Sequence, residues 1–373
     1  MLSACTSANL SKTDLKEQKA LGDALFHDKA LSVNNNEACA TCHNPKKAFT
    51  DNRGNGVNNA ASLGSNGKSI GNRSAPPVTY ALFSPRFHYD KKKQEYIGGQ
   101  FWDGRAPTEA DQAGAPPTNP GEMGMKDKST LMKKLEKNPY YKSSFKKLYG
   151  SDIFKNSNLA YLKMTEAIQA YEHEKKFYRF DSKYDKYLRD EYMPTELEDL
   201  GISLFFSNNN TSCSKCHMLK GEDRQGETFT NYQYRNIGIP INKQLRSKNG
   251  IALSTIDNGL YQNPLVHKDP NTKGKFKTPS LRNVAITGPY MHNGIFKHLR
   301  TVIEFYDHYN NPKRKINPET HKPWAKPQYP QTVAYKYGKK ELRAKPLNER
   351  KIKALVAFLR MLTDKRYEYL LKK

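Results

Sequence analysis

Cys39-Ala40-Thr41-Cys42-His43 is the stretch on which the reading of this chain turns, and the pattern returns once, as Cys213-Ser214-Lys215-Cys216-His217. In C-x-x-C-H the two thiols can add across the vinyl groups of one haem, and the adjacent histidine is then held under the iron as its proximal ligand. Other readings fit less well. A zinc site of four thiolates wants its two C-x-x-C pairs close together, whereas most of a domain lies between these. A thioredoxin-like C-x-x-C needs no following histidine, and both copies have one. Chance is the third alternative. The expectation is two covalently bound haem c groups, on Cys39, Cys42 and His43 and on Cys213, Cys216 and His217.

A chain of 373 residues has room for two domains, each with its own core and one haem apiece. The hydrophobic fraction of 36% and mean hydropathy of −0.88 describe a polar chain with no run long enough to span a bilayer. A porphyrin is itself a large apolar core element and offsets part of that shortage. The formal net charge of +25 would suit nucleic acid, anionic lipid or an acidic protein. No nucleic-acid motif is present and the lysines are spread along the chain. That leaves a solvated, lysine-rich surface or electrostatic steering of an acidic partner protein. Four of the five cysteines belong to the two motifs, so no disulfide need be invoked. The fifth, in Leu2-Ser3-Ala4-Cys5, resembles the lipobox of bacterial lipoproteins, yet only four residues precede it. A lipid anchor through Cys5 and an incidental cysteine in a disordered segment 1–10 both stand. Haem c is attached outside the cytoplasm, so a periplasmic location, anchored or not, follows from the haem motifs.

Taken in order, the chain predicts a helix over Asp14–Asp28, with Asp14 and Glu17 as a capping box and Leu21, Ala24 and Leu25 on its apolar face. A Gly- and Asn-rich loop over 51–73 should lie across the first haem. A long helical region is expected from Leu159 to Arg189, with Tyr161, Met164, Ile168 and Tyr171 on one face. Pro194 ends the first domain. Thr195-x-x-Glu198 then caps a helix that carries Leu197, Leu200 and Leu204 towards the second motif. Thr301–Tyr309 reads as helix, Lys313–Leu347 as an exposed loop, and Ile352, Leu355, Val356, Leu359 and Leu362 as the stripe of a terminal helix.

Six further blocks fall in order around the two motifs. They are Leu21-Gly22-Asp23-Ala24-Leu25-Phe26, Phe101-Trp102-Asp103-Gly104-Arg105-Ala106, Asn119-Pro120-Gly121-Glu122-Met123, Tyr234-Arg235-Asn236-Ile237-Gly238, Leu281-Arg282-Asn283-Val284-Ala285 and Pro289-Tyr290-Met291-His292-Asn293-Gly294. Together they resemble the bacterial di-haem cytochrome c peroxidase and MauG family across nearly the whole chain. The resemblance implies a mainly α fold of two cytochrome c-like haem domains with long irregular loops, divided as 11–193 (peroxidatic) and 194–373 (electron transfer). The terminal helix, 349–364, is expected to pack back on the N-terminal domain. It also implies that hydrogen peroxide meets the first haem while the second stores or relays an oxidising equivalent. Glu122 takes the place of the carboxylate that moves a proton between the peroxide oxygens, Gln112 that of a hydrogen-bonding partner, and Trp102 that of the aromatic between the haems. Thr287 and Pro289 match positions whose carbonyls hold calcium in the family. Ser74 stands where an asparagine is expected, unless the loop shifts to present Asn72.

Two departures bear on the subtype. Many members place a histidine in the loop after the first haem, but Ser65-Asn66-Gly67 has none and His88 lies beyond the matching segment. The first iron is therefore expected to be five-coordinate. At the second haem the usual distal methionine is replaced, by position, with Tyr306, a MauG-like feature that lowers the potential. Met291 and His308 are its rivals. The reading is a peroxide-using di-haem enzyme whose electrons come either from a donor cytochrome or from a residue on a protein substrate. A non-catalytic electron-transfer cytochrome is the alternative, and a lipid-anchored binding protein with both irons capped is a third.

Overall fold

The computed structural model describes residues 11–219, 226–330 and 342–372. Cys5 and residues 331–341 of the expected Lys313–Leu347 loop lie outside them. Among the described residues the frame is eleven α-helices: α1 (Lys12–His27), α2 (Cys39–Cys42), α3 (Glu109–Ala113), α4 (Lys128–Glu136), α5 (Pro139–Tyr149), α6 (Ser157–Glu172), α7 (Lys183–Tyr187), α8 (Glu196–Phe206), α9 (Lys243–Asn249), α10 (Leu299–Asp307) and α11 (Glu349–Met361). Strand is confined to three short antiparallel pairs: His88–Asp90 with Glu95–Ile97, Tyr234–Arg235 with Phe276–Lys277, and Ile316–Asn317 with Lys322–Pro323. The fold is mainly α, with irregular chain between the helices.

Two apolar cores form. In the first, α1 lies across α6, and Leu21, Leu25 and Phe26 pack with Met164, Ile168 and Tyr171. Gly22 sets the approach, because a Cβ there would lie 1.9 Å from the carbonyl oxygen of Ala167. In the second, α8 lies across α11, and Leu204 and Phe205 pack with Leu355, Phe358 and Leu359. The same device recurs there: a Cβ on Gly201 would lie 2.1 Å from the carbonyl oxygen of Ala354. Each half thus closes on one crossing of two helices at backbone contact, with its C-x-x-C-H motif a short way beyond the first of them.

Several boundaries differ from expectation. Helix α1 starts at Lys12 because the Ser11 hydroxyl accepts from the Asp14 N–H at 3.1 Å and fills the cap before Asp14 can. Helix α6 stops at Glu172. A 3-10 turn, Lys175–Phe177, follows, and Phe180 adopts a left-handed φ of 50°, so the chain bends where Phe177 buries itself against Phe49. The Thr195/Glu198 box forms as read, with Glu198 N–H donating to the threonine hydroxyl and Glu198 accepting from Thr195 N–H. Helix α11 packs chiefly on α8 in the second core, and within the expected 349–364 span it also meets residues before 193: Phe358 lies 5.7 Å from Tyr184, and Asp364 accepts from the Tyr80 hydroxyl. The residues after it reach back further. Tyr367 and Tyr369 donate at 2.9 Å to the carbonyls of Pro45 and Lys46, beside the first motif. No helix among the described residues is long and apolar enough to cross a membrane.

Candidate functional site

The two motifs adopt matching local geometry. Each histidine's backbone N–H closes on the first cysteine's carbonyl, His43 to Cys39 at 2.8 Å and His217 to Cys213 at 2.9 Å. Each imidazole is oriented by a carbonyl through Nδ1, His43 with Phe49 at 3.2 Å and His217 with Phe229 at 3.0 Å. That bond fixes the proton on Nδ1 and leaves the Nε2 lone pair for a metal. Burial pushes the pKa of both histidines down, His217 to about 4, so the neutral, ligating form prevails. Burial also raises the thiols of Cys39, Cys42 and Cys213, which disfavours thiolate exchange chemistry. Beside Cys42, Arg53 pairs with Glu37 and Asp51 at 2.9 and 2.6 Å.

Next to His217 lies a large, mostly apolar cavity whose walls include Cys213, Cys216, Ile303 and Tyr306. The donor set suits haem c: two thiols for thioether bonds, an oriented imidazole and an apolar enclosure. Tyr306 faces this cavity from α10, and burial raises its phenol pKa. A buried phenol keeps its proton unless a cation takes that place, and a ferric centre is such a cation. Met291 lines the cavity as well, while His308 turns away and stacks on Trp324 at 5.0 Å. His88 sits exposed on the strand His88–Asp90.

Around the first motif, the loop that lacks a histidine is tied down by other bonds. Ser65 N–H donates to the Glu122 carbonyl at 2.7 Å, and the Ser65 carbonyl accepts from Asn34 and Asn36, each at 2.9 Å. Glu122 is half-buried, and burial raises its pKa against the opposing pull of Arg105 and Asn119. Gln112 is half-buried on α3, the short helix that packs on α6.

Trp102 connects the halves. It lines the second cavity, its indole N–H donates to the Ser74 carbonyl at 2.9 Å, and its own carbonyl accepts from Lys277 N–H at 2.8 Å. Ser74 in turn donates its N–H to His292 O at 2.8 Å and its hydroxyl to Met291 O at 3.2 Å. The matching calcium position is thus a serine whose hydroxyl proton is already spent on Met291. Asn72 instead borders a small space beside Asp257 and His292. Among the described residues no group of three or more His, Cys, Asp or Glu side chains is placed to hold a metal.

Sequence reasoning missed the charged bolts around this bridge. Arg73, its side chain 10% exposed, pairs with Asp257 at 2.6 and 2.7 Å and with Asp103 at 2.6 Å. Burial alone would raise Asp257, but Arg73 outweighs it and holds the carboxyl at about 2. Arg282, fully buried, clasps Asp185 at 2.7 and 2.8 Å and donates to Glu227 O at 2.5 Å, steadying the irregular segment whose Phe229 carbonyl orients His217. Lys277 faces the second cavity, and burial lowers its pKa to about 8. Asp103, Arg105 and Arg282 all lie in the ordered sequence blocks, which was the available signal.

A profile of the di-haem cytochrome c peroxidase family matches residues 16–193. The methylamine utilization protein MauG of Paracoccus denitrificans is 44% identical over 357 residues, covering 95% of this chain and 90% of that protein. The cytochrome c peroxidase Ccp of Escherichia coli is 34% identical over 279 residues, 74% of this chain and 50% of that one. Among solved structures, the diheme peroxidase BthA from Burkholderia thailandensis superposes with a TM-score of 0.79 at 28% identity, covering 94% of this chain and 87% of the other. A likeness that runs through both halves, and through both motifs with their oriented histidines, has one reading: the chain belongs to the di-haem cytochrome c peroxidase and MauG family, with two covalently bound haem c groups as its cofactors.

Proposed function

We propose that this protein is a peroxide-consuming di-haem oxidoreductase, peroxidatic at the His43 site and electron-relaying at the His217 site, each site one cytochrome c-like domain, with the division near residue 193. The observation that carries it is the asymmetry between the sites. For the first, burial raises the pKa of half-buried Glu122 and no histidine occurs between His43 and His88; at the second, Tyr306 and His217 line the same cavity. When bound, the haems supply the redox chemistry with peroxide and the storage of its oxidising equivalents.

The chain's own residues do the rest. Glu122 takes a proton from the nearer peroxide oxygen and returns it to the departing one, a transfer that wants a carboxylate with a pKa above the ordinary range. Gln112 would supply a hydrogen bond to the peroxide. Trp102, its indole N–H held by the Ser74 carbonyl, is the stepping stone between the halves. Tyr306 would offer a haem held at His217 a hard anionic oxygen, a donor that lowers the potential and favours the MauG-like branch, in which electrons come from a protein substrate. A donor cytochrome is the other source. Thr287 and Pro289 offer backbone oxygens, and Ser74 its lone pairs, to a calcium ion between the haems; oxygen-only donors suit that cation. The periplasm is the compartment this cofactor attachment calls for.

EPR of the oxidised holoprotein, followed by peroxide, tests the reading. One high-spin and one low-spin ferric signal, both consumed by peroxide, is the expected result. Two low-spin signals unmoved by peroxide would favour the plain electron-transfer cytochrome.

A further inference from the structure

The chain has two tryptophans, and the second, Trp324, has no part in the chemistry above. It is half-buried at the outer edge of a small apolar cluster with Phe296 and Phe305. On the inner side of that cluster, Ile237, Ile239 and Met291 line the cavity beside His217. Aromatic rings fill the distance between. Trp324 stacks on His308 at 5.0 Å with 28° between planes, and His308 lies 4.0 Å from Tyr309. Phe305 touches Trp324, Tyr309 and Tyr306 at 5.6, 5.6 and 5.9 Å. Tyr306 is cavity wall. No gap in this ladder exceeds van der Waals contact of neighbouring rings, so it shortens each electron step from the surface to the second haem.

The exposed rim is rich in lysine, and the carboxylates Glu304, Asp307 and Glu349 close to it are paired with Arg314. Lys313, Lys315, Lys322 and Lys326 are exposed on the segments flanking Trp324, and Arg314 offers its carbonyl to the indole N–H at 2.8 Å. Glu319 is engaged by the backbone N–H groups of Lys297 and His298 at 2.9 to 3.0 Å. An indole edge framed by free ammonium groups attracts an acidic protein and brings its redox centre to the ladder.

We propose that Trp324 is where electrons from an acidic one-electron donor protein enter the chain, passing by way of His308, Tyr309 and Phe305 to the second haem behind Tyr306. The step balances as one electron. The donor is oxidised by one and the second haem gains that electron; the rings lie along the tunnelling path and are not themselves oxidised. The indole N–H proton stays in the bond to the Arg314 carbonyl. This site rests on the electron-relaying role given to the His217 half, but not on peroxide chemistry.

The test therefore leaves peroxide out. Oxidised holoprotein is mixed without oxygen with a reduced plant-type [2Fe–2S] ferredoxin, a small acidic one-electron donor, and reduction of the second haem is followed in the Soret band. Trp324→Phe keeps a ring in the cluster but removes the outer part of the indole and its bond to the Arg314 carbonyl, which lengthens the tunnelling gap from the donor. It is expected to slow reduction by ferredoxin several-fold, with both haem potentials unchanged and dithionite reduction as fast as before. The surface pair Lys322→Glu with Lys326→Glu is expected to slow it about tenfold at low salt, weaken ferredoxin binding in calorimetry and remove the salt dependence. Ferredoxin reducing Trp324→Phe as fast as the parent, or the double lysine variant retaining parental rate and binding, overturns the proposal. Neither result touches the peroxidatic reading, which stands or falls on the EPR and peroxide experiment.

Discussion

Replacing Arg73 with methionine removes the guanidinium that bolts Trp102's neighbour Asp103 to Asp257 across the two halves. The size of the effect follows from the geometry. Asp257 sits at about 2 in the folded protein against an ordinary 3.8. That depression alone represents about 2 kcal/mol of stability, present above pH 3.8 and lost as pH falls through about 2. Arg73 is buried, so solvent screening discounts little of this, and its loss also strands the buried Asp257 carboxylate and leaves Asp103 with Arg105 alone. Breaking such a pair costs about 3–5 kcal/mol. For a unit of this size the thermal midpoint should drop by roughly 6–15 °C at neutral pH.

The pH profile carries the sharper signature. Without Arg73, burial pushes Asp257 above its unfolded value, so the variant gains stability on going from pH 7 towards pH 4 while the parent does not. Thermal unfolding of the holoprotein by circular dichroism, repeated across that range, reads both quantities. Equal midpoints and parallel profiles for variant and parent would falsify the assignment of Arg73 as the counter-ion on which the buried acids depend.

Tyr306→Met should raise the second haem's potential, measured by spectroelectrochemistry, and an unchanged potential discards phenolate ligation. Glu122→Gln should slow peroxide consumption by about 10²–10⁴-fold with haem content intact. In the parent, the rate should climb with pH through a limb above 4.5, because burial raises the acid whose carboxylate form accepts the proton; a limb at or below 4.5 speaks against Glu122. Gly22→Ala, normally a gain in a helix, should instead cost about 1–3 kcal/mol, since its methyl meets the Ala167 carbonyl; a higher melting temperature would contradict the crossing. Chelation with EGTA should alter the EPR signals if Thr287, Pro289 and Ser74 hold calcium, and identical spectra before and after argue that they do not.

Much of this architecture was legible in the chain because its chemistry is local. C-x-x-C-H carries its own geometry, and the Thr195/Glu198 box needs only three residues to form. Counting from the block before it reaches Tyr306, which lines the cavity beside His217. What escaped was non-local. Arg73 and Asp257 are 184 residues apart, and nothing in either neighbourhood announces the other. The break after Glu172 escaped for a related reason: the helical pattern continues in sequence, but Phe177 is drawn into the core by Phe49 from a distant loop. The stripe of the terminal helix fits any apolar groove, and the Gly201–Ala354 contact makes α8 its main partner.

Ser74 leaves a last consequence. Its carbonyl grips the indole of Trp102, while its N–H and hydroxyl grip the backbone at His292 and Met291. On the relay role proposed for Trp102, one residue therefore serves both the electrical junction and part of the seam that Arg73 and Lys277 also close. Sliding the two lobes past one another by an ångström or so would tilt the indole as it loosened the seam. Conductance between the haems would then gauge how tightly the lobes are shut, and any partner that squeezes or pries them apart would also have its hand on the current.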